Sequence, residues 1–227
     1  GYVSAFAEAA LNGDSRYEAL FRDYRAGAMF LPDTRYYSRY EDGTFVAAVR
    51  YEDGDAPKAS PSPGAVAEAD GLTAWSTEET TDREGNGTGN YAAALAWETE
   101  GSYELTIPPL LPPEADDWSL ALSVADVSGA DGQPEADWSA DVELEDDSGV
   151  SVRLPLERFM ETEPPEATDY VWLPWLERDL ADGRFEGTAE PVFQTILLPL
   201  DAFEAADAAF DPARIESGAL HFEGGPG

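Results

Sequence analysis

Asp141-Val142-Glu143-Leu144-Glu145-Asp146-Asp147-Ser148-Gly149-Val150-Ser151-Val152-Arg153-Leu154-Pro155-Leu156 is the stretch that decides the fold. Val142 and Leu144 alternate with Asp141, Glu143 and Glu145. Successive side chains on a strand point to opposite sides of the pleat, so this alternation describes one buried face and one wet face. Asp147-Ser148-Gly149 is a turn signal, and Val150, Val152, Leu154 and Leu156 resume the period of two beyond it.

The same period extends outward in both directions. Upstream it recurs in Tyr91, Ala93, Leu95 and Trp97, in Tyr103, Leu105 and Ile107, and in Trp118, Leu120, Leu122 and Val124. Downstream, Val192 to Leu200 is a longer apolar run, predicted to be a central strand. Turn signals separate these runs: Glu52-Asp53-Gly54, Gly85-Asn86-Gly87, Pro112-Pro113, Asp131-Gly132, Pro164-Pro165 and Asp182-Gly183. Many short strands at this spacing predict a mainly β domain, an antiparallel β-sandwich of jelly-roll type, over residues 41–227. Lys58 to Gly64 reads as a loop, Trp172 to Glu177 as a short helix or aromatic loop, and residues 201–210 as a short helical turn.

The N-terminal residues have a different period. Tyr2, Phe6, Ala9 and Ala10 predict a helix over 2–11, and Tyr17, Leu20, Phe21 and Tyr24 a second one ended by Gly27. Pro32 to Tyr40 is a connector. Residues 1–40 are therefore expected to form a helical segment plus connector. No methionine opens the chain, and Gly224-Gly225-Pro226-Gly227 reads as a turn feeding another strand. The expectation is a piece of a longer polypeptide whose sandwich lacks its final strand. Ala219 to Glu223 should then be left with unpaired backbone groups.

Composition narrows the function. Acidic residues number 47 against 13 basic ones, for a net charge of −34, and Lys58 is the only lysine. Such a surface repels nucleic acid and anionic membrane, which makes both poor partners, so no nucleic acid and no membrane insertion are expected. With 43% hydrophobic and 11% aromatic residues the chain has the material of a core, so the acidity is not that of a disordered segment. A carboxylate-coated surface suits high salt, where repulsion is screened, and predicts a halophilic source. The absence of cysteine excludes disulfides, thiolate nucleophiles and cysteine-ligated metals. No run approaches the roughly 18 apolar residues of a membrane-spanning helix.

Three sets of residues invite a chemical reading. Asp82, Glu84 and Asn86, followed by Gly87, place oxygen donors at alternate positions before a glycine, as the opening of a calcium loop does. The twelfth position, where a closing glutamate belongs, is Ala93, and a polar turn between strands is the plainer reading. Of six tryptophans, Trp97 and Trp118 fall on the alternating pattern of the core. Trp172 and Trp175 sit in a loop-like stretch, as platforms for a sugar ring or as clips to a neighbouring domain. His221, the only histidine, lies in a strand pattern. No G-x-S-x-G elbow accompanies it, so no catalytic triad is assigned within the chain. The pairs Asp116-Asp117 and Asp146-Asp147 could suggest glycoside hydrolysis, but with 47 acids adjacency selects nothing, and most of the acids are expected to be solvated surface groups.

Two resemblances go further than these patterns. Val192-Phe193-Gln194-Thr195-Ile196-Leu197-Leu198-Pro199-Leu200-Asp201-Ala202-Phe203, then Phe210-Asp211-Pro212-Ala213-Arg214-Ile215 and Leu220-His221-Phe222, resembles the last third of galactose-binding-like jelly rolls, which include family-11-type carbohydrate-binding modules. The order from Tyr2-Val3-Ser4-Ala5-Phe6 through Gly13-Asp14-Ser15-Arg16-Tyr17 to Leu31-Pro32-Asp33-Thr34-Arg35-Tyr36, with the later segments, is similar to the C-terminal half of bacterial α/β-hydrolase-like proteins of the esterase and dienelactone-hydrolase type. The second resemblance implies an exported serine-type ester hydrolase whose triad lies upstream. The preceding catalytic domain would then be the partner, and the sandwich an accessory that packs on it or holds a polysaccharide. The first implies a sugar-binding module; no cofactor is expected, a structural calcium of the kind such modules often hold being the one alternative, with no residues matched to it. A ligand-free surface or adhesion domain is the third possibility.

Overall fold

The computed structural model describes residues 2–51, 65–82, 85–107, 118–130, 136–167, 175 and 189–225. Over these residues the protein is mainly β and every strand pairing is antiparallel. Helix α1 (Tyr2–Asn12) and the five-residue α2 (Glu18–Arg22) are followed by the strands β1 (Ala67–Thr81), β2 (Gly87–Thr106), β3 (Ser119–Val124), β4 (Trp138–Asp146) and β5 (Ser151–Pro155). Next come the two-residue strands β6 (Glu166–Ala167) and β7 (Ala189–Glu190), then β8 (Gln194–Pro199), α3 (Leu200–Glu204) and β9 (Ile215–Gly224).

One sheet has the order β1-β2-β9-β4-β5, and β3 pairs with β8 in a second. The inward residues of β4 (Ala140, Val142, Leu144) and of β5 (Val152, Leu154) share a single core with Ile196 and Leu198 of β8. Two antiparallel layers over one core make a β-sandwich. Each large apolar side chain buried here contributes about 1.5–3 kcal/mol. The centre is Phe203, fully buried on α3 and stacked on Phe159 with ring centroids 5.8 Å apart, and the wholly enclosed Ile196.

The segment expected to have an open backbone does not have one. Residues 219–223 of β9 pair with β2 on one side (Tyr103 opposite Leu220) and with β4 on the other (Val142 opposite Leu220). Both of its neighbours precede it in the chain, so β9 fills the gap between two hairpins. Nor does β8 sit centrally in a broad sheet: β3 is its one strand partner among the described residues. Its other side meets the connector, where the Thr195 amide donates to the Ser38 carbonyl (2.8 Å) and the Tyr40 amide to Thr195 Oγ1 (3.3 Å).

Further bonds tie residues 1–40 to the sandwich. Tyr37 Oη donates to the Pro164 carbonyl (2.8 Å) and to Glu166 (3.0 Å), and Arg25 donates to the Phe159 carbonyl. Burial and then the Glu166 carboxylate push the Tyr37 phenol up to about 12. The second helix is broken by a 3₁₀ turn on either side of α2, because Asp14 and Asp23 cap short turns with their carboxylates.

Candidate functional site

The outward face of β4, β5 and β9 carries the one cluster that joins the histidine to other ionisable groups. Outward residues have the parity opposite to the core, so Glu143, Arg153 and His221 all face away from it. Glu143 lies directly across from Arg153, and His221 across from Asp141, one diagonal step from Glu143. Arg153 binds Glu143 through Nε (2.8 Å) and Nη2 (2.7 Å). His221 Nε2 stands 3.1 Å from the same Glu143 oxygen and 2.9 Å from Arg153 Nη2. One ring nitrogen thus faces both a donor and an acceptor, and its tautomer decides which bond it makes.

Burial pushes the Glu143 carboxyl up, but the bonds and charge of Arg153, with His221 and Ser151 adding to them, outweigh it and hold the group below its ordinary value. Acyl transfer needs a histidine between a hydroxyl and an acid, and the ring nitrogen seen here faces a carboxylate and a guanidinium. As chemistry, the cluster is a half-exposed ion-pair network. Its Glu143–Arg153 pair contributes about 0–1 kcal/mol.

The residues singled out for calcium lie at the β1–β2 turn. Asp82 accepts from the Asn86 amide (2.9 Å) and the Asn86 side chain (3.1 Å), while the Asp82 amide donates to the Asn86 carbonyl. Here the pair closes a hairpin. Glu84 lies outside the described residues, and no group of three or more acidic or histidine side chains that could hold a metal occurs among the described ones.

Trp172 also lies outside the described residues. Trp175 is 57% exposed. By contrast, Trp97 stacks on Phe222 at 4.2 Å, meets Trp138 edge-on at 5.7 Å, and donates from Nε1 to the Gly224 carbonyl (2.6 Å). Those rings pin the end of β9 and are not platforms.

One acid departs from its expectation. Most acids are expected at the surface, yet Asp146 is fully buried. Its Oδ1 accepts from Ser148 N (2.9 Å), Ser148 Oγ (2.6 Å) and Val150 N (3.1 Å), and its Oδ2 from Asp211 N (3.0 Å). The Ser148 hydroxyl first, then the Asp211, Val150 and Ser148 amides, outweigh burial and hold the carboxyl far below the usual range. Asp146 thereby staples the β4–β5 turn to the entry of β9. The Asp-x-Ser-Gly spacing after a strand was the available signal, since such an aspartate bonds backbone two residues on. Asp116 and Asp117 lie outside the described residues.

No family model matches the chain, and no curated protein or solved structure matches it.

Proposed function

We propose that the chain is a non-catalytic accessory β-sandwich of an exported, acidic protein whose ester-hydrolysing serine machinery belongs to a preceding domain. The attribution to ester hydrolysis rests on the sequence resemblance. What supports the accessory role is the surrounding of His221: its Nε2 is engaged by Glu143 and Arg153. A ring nitrogen so held is occupied by an ion pair and not by a hydroxyl, which is the partner nucleophilic catalysis requires. The test is turnover of a p-nitrophenyl ester by the 227-residue chain and by His221→Ala. Neither should exceed the buffer rate, and turnover that disappears with His221→Ala would sink the proposal.

One observation favours a second reading, a carbohydrate-binding module: the exposed ring of Trp175. A pyranose face stacks on such a ring. Co-sedimentation with insoluble polysaccharide, abolished by Trp175→Ala at unchanged thermal stability, would select the module. Absence of binding by the wild type would leave the accessory role.

A further inference from the structure

Asn86-Gly87-Thr88 is the single Asn-x-Ser/Thr triplet of the sequence, and no proline stands at its centre. The other two asparagines fall in Asn12-Gly13-Asp14 and Asn90-Tyr91-Ala92, which lack a hydroxyl two residues on. The triplet is the acceptor pattern of N-linked glycans, and it serves only at an accessible surface position.

The fold supplies that position. β9 pairs with β2 only from Glu100 to Thr106, so residues 87–99 of β2 have β1 as their one strand partner among the described residues. The β1–β2 hairpin thus runs on past β9 as a two-stranded arm. Its base packs on the core through Trp75, Ala93 and Leu95, whereas every residue of its tip from Gly85 to Asn90 is exposed. Asn86 Nδ2 donates to Asp82 Oδ2 (3.1 Å). An asparagine amide carries two N–H groups and a glycosylated one keeps one, so a sugar on Nδ2 leaves a hydrogen for Asp82. Thr88 Oγ1 donates to the Thr80 carbonyl (3.0 Å). A tip with one strand neighbour is among the first places to open, which frees that hydroxyl for recognition.

A second observation is independent of the triplet. Residues 85–97 contain no charged side chain, in a sequence of net charge −34. Along residues 87–96 the free edge of β2 has no strand beside it among the described residues. Long open edges invite pairing with other chains, and proteins usually blunt them with charge or proline. This edge has neither. A bulky hydrated glycan at Asn86 would guard it.

We propose that Asn86 carries an N-linked glycan. The inference rests on the export part of the reading above, because the donor is an oligosaccharide held on a lipid phosphate and used on the outer side of the membrane. In the transfer, the bond from the sugar's anomeric carbon to the carrier's phosphate oxygen breaks and one to Asn86 Nδ2 forms. Nδ2 gives one proton to a base of the transferase, and the lipid phosphate leaves.

Peptide mapping by mass spectrometry of the full-length protein, recovered from the medium or the envelope of its source cell, reads this directly. The peptide containing Asn86 should carry added sugar mass, and Asn12 and Asn90 should carry none. Asn86→Gln and Thr88→Ala should each abolish the addition, and Thr88→Ser should retain it, with circular dichroism unchanged in all three. An unmodified Asn86 in exported protein, or an addition that survives Thr88→Ala, would overturn the proposal and leave export standing. Protein confined to the cytoplasm would overturn both.

Discussion

The sandwich and the N-terminal helical segment are built from the same kinds of residue and bury them to very different degrees. In the sandwich, Phe203, Phe159 and Phe210 form one aromatic series, with Phe203 fully enclosed and Phe210 nearly so. In the helical segment, Tyr2, Phe6, Phe21, Tyr24 and Tyr36 form another, with Phe6 and Phe21 edge-on at 6.1 Å and Tyr24 stacked on Tyr36 at 5.3 Å, yet Phe6 is mostly in solvent. Ring contacts are therefore not what separates the two regions. The difference is closure: two sheets exclude water from both sides, whereas short helices lying on one layer leave a side open. Stability should follow the enclosure and not the count of aromatic pairs.

Substitutions can break or sharpen that contrast. Phe203→Ala should cost about 3–5 kcal/mol in urea unfolding, because it removes a wholly enclosed ring and leaves a cavity. Asp146→Asn comes next. In the wild type the folded carboxyl titrates below its unfolded value of 3.8, so its stabilisation is complete above about pH 4 and is lost as pH falls through the folded value. The melting temperature of Asp146→Asn should lie well below the wild type at about pH 6, and the gap should narrow toward about pH 2. An equal gap at both pH values would show that the staple does not work through its charge.

Gly27→Ala probes the other region. An added Cβ would stand 2.6 Å from Leu20 Cδ1 and 2.7 Å from Leu31 Cδ1, both flexible side-chain ends. Overpacking of this kind costs about 1–3 kcal/mol, taken here at the low end. Its signature should be faster amide exchange in residues 2–31 with little change in the sandwich. Phe6→Ala should be the mildest, within about 0.5 kcal/mol. If Phe6→Ala matched Phe203→Ala in urea, the contrast drawn from enclosure would fail.

Much of the sandwich was legible because one-sided burial writes a period of two. Alternation located β3 and β5 to within a residue or so and the second half of β4, whose first residues, Trp138 to Ala140, lie outside that period. It split β2 into two runs, because Glu98-Thr99-Glu100-Gly101-Ser102 places no large apolar residue on the inward face and interrupts the period. The two runs share one parity, and the strand continues where Gly71 of β1 bulges against it at φ +67°, its Cβ position 2.8 Å from the Glu100 carbonyl. β1 itself went unseen: Ala67 to Thr81 is mostly small and polar, and its pairing with β2, not its own pattern, makes it a strand. The central place of β9 was hidden for a similar reason, since partner choice is a long-range property. The His221 cluster was invisible because three residues far apart in sequence meet only through strand register.

The place of β9 has a consequence for biosynthesis. β2 and β4 are joined only through it, so the ribosome delivers the keystone of the large sheet after its two flanking hairpins. While residues 1–214 are emerging, β1–β2 and β4–β5 can each zip locally but cannot be bridged. Nascent chains stalled before Ile215 should therefore expose both inner hairpin edges and be prime clients for chaperones.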